Sequence, residues 1–223
     1  SGRVMGSCFY HPRPTHMSLG IMNVHPNHFG RGIAVRLLNY IIELAAQEDK
    51  PVRLVSSAMN LDSYSLYTRS GFVPRMTFQD MFIRVPEEGF PADVHVREAV
   101  HDDLEAIVAL EMELQHISRE KDYRHFLDNG SGIWHLSVYE NDQGMIDGVL
   151  ASVAHSGSNM LGPGVSRTEE QAAALIRGEL NHHQGRSPVF VVPVTCGELV
   201  QDMYALGARN CEMHVNQVLG DYQ

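Results

Sequence analysis

The stretch Asn23-Val24-His25-Pro26-Asn27-His28-Phe29-Gly30-Arg31-Gly32-Ile33-Ala34-Val35-Arg36-Leu37-Leu38 constrains this chain more than any other. It reads as the end of an apolar strand, a short loop with two glycines, and then a helix with an apolar face. Glycines let the backbone approach a ligand closely. The first N–H groups of a helix have no intrahelical partner, and the macrodipole adds positive potential at the same end. The segment therefore predicts an anion site, with the phosphate or pyrophosphate of a nucleotide or coenzyme as the expected ligand.

Around this segment the pattern is α/β. Residues 4–10 and 16–24 read as a hairpin, interrupted at 11–15 where Pro12 and Pro14 lack N–H donors. A helix is expected from Gly32 to Gln47, with Val35, Leu38, Ile42 and Ala45 or Ala46 on its apolar stripe, joined by Leu37 and Ile41. A strand over 51–57 follows, so strand, helix and strand form a parallel crossover. Asn60, Asp62 or Ser63 can cap a helix that stops at Gly71. Residues 72–85 give one or two strands around Pro74. Residues 86–92, with Pro86, Gly89 and Pro91, form the best linker.

A second cycle then begins. Strands are expected over 94–100, 134–139, 145–154, 188–194 and 211–218, with helices over 101–116, 168–181 and 198–206. Met160-Leu161-Gly162-Pro163-Gly164-Val165 reads as a second glycine loop before the 168–181 helix, with Pro163 removing one N–H donor. The halves share an order, so the chain is expected to be a diverged tandem repeat. Its modules are 1–86 and 93–223, joined by a linker at 87–92.

Bulk properties narrow the function classes. The 223 residues allow one large domain or two small ones, and 43% apolar with 20% charged residues is ordinary globular composition. No apolar run approaches the ~20 residues of a membrane span, and the opening residues lack a signal-peptide layout. A net charge of −10 argues against nucleic acid and weakly favours a cationic substrate. Cys8, Cys196 and Cys211 are isolated, which points to a reducing compartment and a cytoplasmic location. The 13 histidines show no zinc spacing, and the adjacent His182 and His183 point to different helix faces, so no metal is expected. A nucleotide-binding α/β domain is a weaker reading, because no GxxxxGK[ST] or GxGxxG motif is present.

The first half resembles the coenzyme-binding part of GNAT-type N-acetyltransferases over about residues 4–85. Two motifs carry the resemblance. One is Val24-His25-Pro26 followed by Gly30-Arg31-Gly32-Ile33-Ala34, similar to the family's pyrophosphate loop. The other is Asn60 followed by Leu66-Tyr67-Thr68-Arg69-Ser70-Gly71-Phe72. The second half resembles, less fully, the degenerate module of tandem GNAT proteins, through residues 161–167 and the 191–193 strand.

The resemblance implies the GNAT fold: a mixed, mostly antiparallel sheet flanked by helices, in two modules. It implies acetyl-CoA as cosubstrate and direct N-acetylation of a small-molecule or protein amine, with a homodimer left open. Phe29, Gly30, Arg31, Gly32, Ile33 and Ala34 would bind the pyrophosphate, mainly through main-chain N–H groups. Met22, Asn23 and Val24 would offer backbone bonds to the pantetheine or the acetyl carbonyl. Tyr67 would be the general acid for the departing thiolate; on its residues alone it also reads as a packing residue of an amphipathic helix. Asn60 would bond the pantetheine arm or simply cap its helix. His25, His16 and Asp80 are base candidates by location only.

Two departures stand out. Phe29 occupies a place where the family usually has Gln or Arg, so one donor is lost. The family also has a strand and two helices before the coenzyme-binding strand, forming one wall of the acceptor pocket. Here either the start of the first module is absent or another segment supplies that wall, and the complete counterpart begins at Val94. A non-catalytic acyl-CoA binder is the alternative that these departures suggest.

Overall fold

The computed structural model describes residues 2–222; Ser1 and Gln223, the outermost residues of the two expected modules, lie outside it. Strands are β1 Gly6–Pro12, β2 Met17–Val24, β3 Val52–Ser57, β4 Val73–Phe82, β5 Val96–Glu98, β6 Trp134–Glu140, β7 Ile146–His155, β8 Ser158–Ser166, β9 Val189–Pro193 and β10 Arg209–Leu219. Helices are α1 Ile33–Gln47, α2 Leu61–Arg69, α3 Leu104–Gln115, α4 Glu120–Asp128, α5 Glu169–Leu180 and α6 Gly197–Leu206. The chain forms two compact units. Unit 1 comprises the residues up to Thr77 together with those from Met213 onward, and unit 2 comprises Phe78–Glu212.

In unit 1 the strand order is β1-β2-β3-β10. The hairpin β1/β2 and the pair β3/β10 are antiparallel, while β2 and β3 run parallel. β1 extends to Pro12, which pairs with Met17; a missing N–H is tolerated at the end of an edge strand. Leu38, Ile41 and Ala45 form the buried stripe of α1 and pack with Met17, Leu19, Val52, Leu54, Tyr67 and Phe72. Burial of Leu38 and Ile41 stabilises the unit by about 1.5–3 kcal/mol each. Val35 lies in the first helical turn and is exposed instead.

Unit 2 has the order β4-β9-β8-β7-β6-β5, antiparallel except for β8/β9. α3 and α4 cover one core, built on Ile107, Tyr123, Leu136, Val138, Val149 and Ala151. α5 and α6 cover another, around Leu161, Leu180, Phe190, Val192 and Met203. The carboxylate of Glu111 on α3 is fully buried, and Arg119 Nε (2.6 Å), Arg119 N–H (2.8 Å) and Tyr123 Oη (2.8 Å) donate to it. That network ties α3 to α4, a helix the sequence pattern did not predict.

Each unit is completed by a strand from the other half of the chain. Residues 78–82 of β4 pair with β9 in unit 2, and residues 214–219 of β10 pair with β3 in unit 1. The closing strand expected with the second module thus serves the first unit in part. The bonds of Asn216 Nδ2 to Leu54 O (3.2 Å) and of Ser56 Oγ to Gln217 Oε1 (3.3 Å) reinforce this pairing. Deleting the chain from Met213 onward is expected to unfold β2, β3 and α1 while unit 2 keeps its protection. Hydrogen exchange read peptide by peptide checks this; unchanged protection in β3 would refute the pairing.

Candidate functional site

β2 carries the first element of the site. Leu19 pairs with Tyr10 and Met22 with Cys8, so Gly20 and Ile21 together oppose Phe9 alone. This is a two-against-one β-bulge. Gly20 suits it, because an added Cβ would lie 3.2 Å from Phe9 O. The bulge changes the parity of the buried face, from Met17 and Leu19 before it to Met22 after it.

β2 and β3 pair only at Met17↔Val52 and Ser18↔Arg53, just before the bulge. Beyond Ser18 no ladder pair joins them among the described residues. The bond from His25 N–H to Met5 O (2.8 Å) fixes which residues face β1. By antiparallel alternation Asn23 also directs its main-chain groups to β1, against Ser7, while Met22 and Val24 present theirs to the open side. Of the three expected backbone partners, Met22 and Val24 are therefore available and Asn23 is engaged in the hairpin.

The loop follows. His25 caps a single 3-10 turn, Pro26–His28, by accepting from Asn27 N–H at its Nδ1 (3.2 Å). The Phe29 N–H donates to Pro26 O (3.2 Å), so its main-chain donor is already taken, and its ring is 66% exposed. Gly30 and Gly32 both have φ +73, and a Cβ on either would enter open space. Gly32 is the N-cap of α1, with no side-chain cap and no acid in the first turn. The bond of Arg36 N–H to Gly32 O (3.1 Å) comes only after Ile33, Ala34 and Val35, whose N–H groups precede it and face outward. Ile33 is anchored against β1: a Cβ on Gly6 would lie 2.9 Å from both Ile33 Cγ2 and Asn23 O. A fixed, uncapped helix start with glycine at its cap fits an anion, and exposed Arg31 adds positive charge beside it.

α2 brings the remaining candidates. Asn60 is its N-cap, with Oδ1 accepting from Ser63 N–H (3.1 Å). The cap leaves the Asn60 amide nitrogen free as a donor, at a shallow hollow lined by Ser57, Met59, Asn60, Leu61 and Asp62. Tyr67 lies further along the helix, about 10 Å on at 1.5 Å per residue. It is 7% exposed, 5.8 Å from the Phe72 ring, and clustered with Met22 and Cys8. No described residue hydrogen-bonds its hydroxyl. Burial, reinforced by neighbouring Cys8, raises its pKa, so the phenol keeps its proton. Tyr67 and Met22 thus belong to one apolar cluster, while Asn60 sits at the other end of the same helix.

The base candidates fare differently. His25 serves its turn. His16 is buried with Nδ1 3.1 Å from Thr15 Oγ1, at the far end of β2, roughly 23 Å of strand from Asn23. Asp80 belongs to unit 2, where its carbonyl accepts from Cys211 Sγ (3.3 Å).

Unit 2 repeats this plan with one difference. Residues 161–166, expected as a loop, are part of strand β8. Gly162 and Pro163 oppose Ala151 alone, a bulge like that of β2, and β8 meets β9 in parallel only at Met160↔Val189. Pairing with β7 overrides the local turn signal of Gly-Pro-Gly. The helix start, however, is closed. Thr168 Oγ1 accepts from Gln171 N–H and Gln171 Oε1 accepts from Thr168 N–H, each at 3.2 Å. Glu169 and Glu170 occupy the first turn, and Glu169 also accepts from Leu199 N–H (2.8 Å). Satisfied donors and two carboxylates repel an anion there. The T-x-x-Q spacing of Thr168 and Gln171 is the sequence signal of this capping box, and it outweighs the neighbouring glycines.

Comparisons with known proteins bear on the fold. The model of the acetyltransferase (GNAT) family matches residues 1–72. Curated protein sequences give no match. Among solved structures, a Pyrococcus horikoshii protein provisionally named an acetyltransferase superposes with a TM-score of 0.73 at 16% identity, covering 97% of this chain and 70% of its own. A GCN5-related N-acetyltransferase from Sphaerobacter thermophilus gives 0.66 at 16% identity, covering 96% and 76%. A tandem GNAT protein from the clavulanic acid biosynthesis pathway gives 0.66 at 17% identity, covering 100% and 81%. The resemblance read in the sequence is borne out, and the chain has the GNAT fold, a mixed, mostly antiparallel sheet flanked by helices.

Gly32→Ala separates ligand contact from folding. Alanine at φ +73 costs about 1–2 kcal/mol, and its methyl group projects into the space in front of the α1 amides. Stability is expected to fall by that modest amount, while affinity for an anionic ligand, probed with coenzyme A, falls at least tenfold. Denaturation and calorimetric titration read the two; undiminished affinity would remove Gly32 from the site.

Proposed function

We propose that the chain is an acetyl-CoA-dependent N-acetyltransferase whose coenzyme site lies in unit 1. The observation that carries this reading is the convergence of three features: the uncapped start of α1, the open edge of β2 at Met22 and Val24, and the Tyr67 phenol clustered with Met22. In this reading the amides of Gly30 to Ala34 hold the pyrophosphate, assisted by Arg31. Met22 and Val24 pair with the pantetheine arm, and the free amide nitrogen of Asn60 donates to it. Cys8, Cys196 and Cys211 are all unpaired, which accords with a cytoplasmic protein.

The chemistry is a direct transfer. The lone pair of a neutral amine attacks the thioester carbonyl, and a nearby backbone N–H stabilises the developing oxyanion. The C–S bond breaks as the C–N bond is completed. The departing thiolate takes the Tyr67 proton, which solvent replaces, and the new ammonium loses its proton to water. Holding donor and acceptor in line supplies much of the acceleration. The acceptor is a small-molecule or protein amine, and the negative net charge of the chain favours a cationic one.

In the same reading the chain is a tandem of GNAT-like modules, 1–86 and 93–223, joined at 87–92. The second module keeps the bulge and the brief parallel pair but has lost the anion site, so it serves structure or the acceptor pocket. A non-catalytic acyl-CoA binder is the second reading, favoured by the apolar Phe29 where a polar donor is usual.

Three measurements separate these readings. Acetyl-CoA is expected to raise the melting temperature where ATP does not; stabilisation by ATP alone would defeat the assignment. Tyr67→Phe is expected to keep coenzyme affinity and change stability by less than about 1 kcal/mol, since its hydroxyl has no protein partner, yet to lower turnover at least tenfold with an amine panel. Equal turnover would remove the proton-donor role, and no turnover by either protein favours the binder. Because burial raises the Tyr67 pKa, its donor form persists, and any descending alkaline limb of wild-type turnover should lie above that of an ordinary tyrosine.

A further inference from the structure

Unit 2 holds a cluster of titratable groups that acetyl transfer does not use, in which Glu179 and His183 are buried, His135 is half-buried and His182 is exposed at its outer side. His135 Nδ1 on β6 lies 2.8 Å from Glu179 Oε1 on α5, and Glu179 has no exposure. The ring of His182 stacks on that of His135, with centroids 3.4 Å apart and planes at 24°. His183 is also fully buried, with Nδ1 2.7 Å from Asn159 Oδ1 on β8. Glu179 Oε2 and His183 Nε2 are buried without a hydrogen-bond partner. His182 and His183 share one short 3-10 turn, Asn181–His183, directly after α5.

The same turn fastens residues 85–90. Val85 N–H donates to Arg186 O (2.9 Å), and Gly185 N–H donates to Val85 O (3.1 Å). Asn181 accepts from Phe90 N–H at Oδ1 (2.7 Å) and donates from Nδ2 to Phe90 O (3.0 Å). The contact is close: a Cβ on Gly89 would lie 2.6 Å from Asn181 Oδ1, and one on Gly185 2.6 Å from Glu87 Oε1. The segment that reads as a linker is therefore held in place by the histidine turn.

We propose that residues 181–186 form a pH-sensitive clasp, closed near neutrality, which protonation of His182 and His183 opens, releasing residues 85–90. The charged groups facing the turn are Glu98 from β5, His135 from β6, Glu179 from α5, Arg186 just beyond the turn and Glu87 from the fastened segment; Asn159 from β8 is polar and neutral. Burial disfavours a charge on His135, but the hydrogen bond and charge of Glu179 outweigh it and raise its pKa, so the pair can hold one proton. Partial desolvation beneath the stacked His135 ring, and then the positive charge on His135, lower the pKa of His182, whose other side is exposed. Burial brings His183 down to about 4, with Glu179 opposing and Arg186 assisting.

The direction of the effect follows. His182 and His183 are neutral in the closed turn and recover ordinary histidine behaviour when it opens. Their contribution to closure is complete above the ordinary value of 6.5 and is lost as pH falls from 6.5 toward 4. His135 acts oppositely: its contribution is present below 6.5 and is lost as pH rises through its raised value. The clasp is thus tightest between the two and loosens in mild acid. From 6.5 and about 4, His183 alone makes opening about eightfold more frequent at pH 5.5 than at pH 7.0.

Hydrogen exchange of the whole chain at pH 7.0 and 5.5, with labelling times scaled for intrinsic exchange, tests this. Peptides over 84–91 and 181–187 are expected to lose protection several-fold at pH 5.5, the His183 effect being partly offset by His135, while β6 and β7 keep theirs. His183→Gln and His182→Phe, the latter retaining a stacked ring, are each expected to shrink that loss. Equal protection at both pH values, a parallel loss in β6 and β7, or an undiminished acid effect in both variants would overturn the clasp.

Discussion

Everything distinctive in unit 1 depends on two parallel strands that stay together for only two residue pairs. β2 and β3 pair at Met17↔Val52 and Ser18↔Arg53, and the bulge at Gly20 and Ile21 then turns the pleat of β2 over. Main-chain groups of Met22 and Val24 are left facing an opening, and a backbone tolerates that only where water or a ligand can reach it. The same chain direction delivers Ile33, Ala34 and Val35 with free N–H groups a short loop later. Two sets of unsatisfied groups are thus joined by one loop, an arrangement that suits the long, partly anionic ligand of the proposed reading.

Unit 2 serves as an internal control for this reading. It has the same bulge, at Gly162 and Pro163, and the same curtailed parallel pair, at Met160↔Val189. What differs is chemistry at the helix start. Glycine leaves the donors of α1 open, whereas Thr168 and Gln171 cap α5 and Glu169 and Glu170 add negative charge. A shared backbone plan therefore has opposite electrostatics in the two units. The exchange of strands, with residues 214–219 beside β3 and residues 78–82 beside β9, makes the folding of each unit depend on both halves of the chain.

Much of this was legible in the sequence. The stripe of α1, the cap at Asn60, and the stops at Gly71 and Gly207 rest on local rules of periodicity and capping. Most of the misses have non-local causes. Helix α4 presents only Tyr123, Phe126 and Leu127 as apolar residues, and the buried Glu111 and Arg119 that fix it come from outside the helix. Residues 161–166 carry turn-forming residues, yet their partners on β7 impose a strand. One cause is local: the Phe29 N–H, expected at the ligand, donates to Pro26 O within its own turn. The alternation that separates Met22 and Val24 from Asn23 depends on hairpin register, which no local signal reveals.

The central claim is that the start of α1, and not that of α5, receives the coenzyme, together with the open edge of β2. Residue-resolved amide protection on adding saturating acetyl-CoA tests it most directly. Added protection is expected at the amides of Gly30 to Ala34 and at Met22 and Val24, with none at Thr168 to Gln171. Protection at the α5 start, or none at the α1 start, would contradict it.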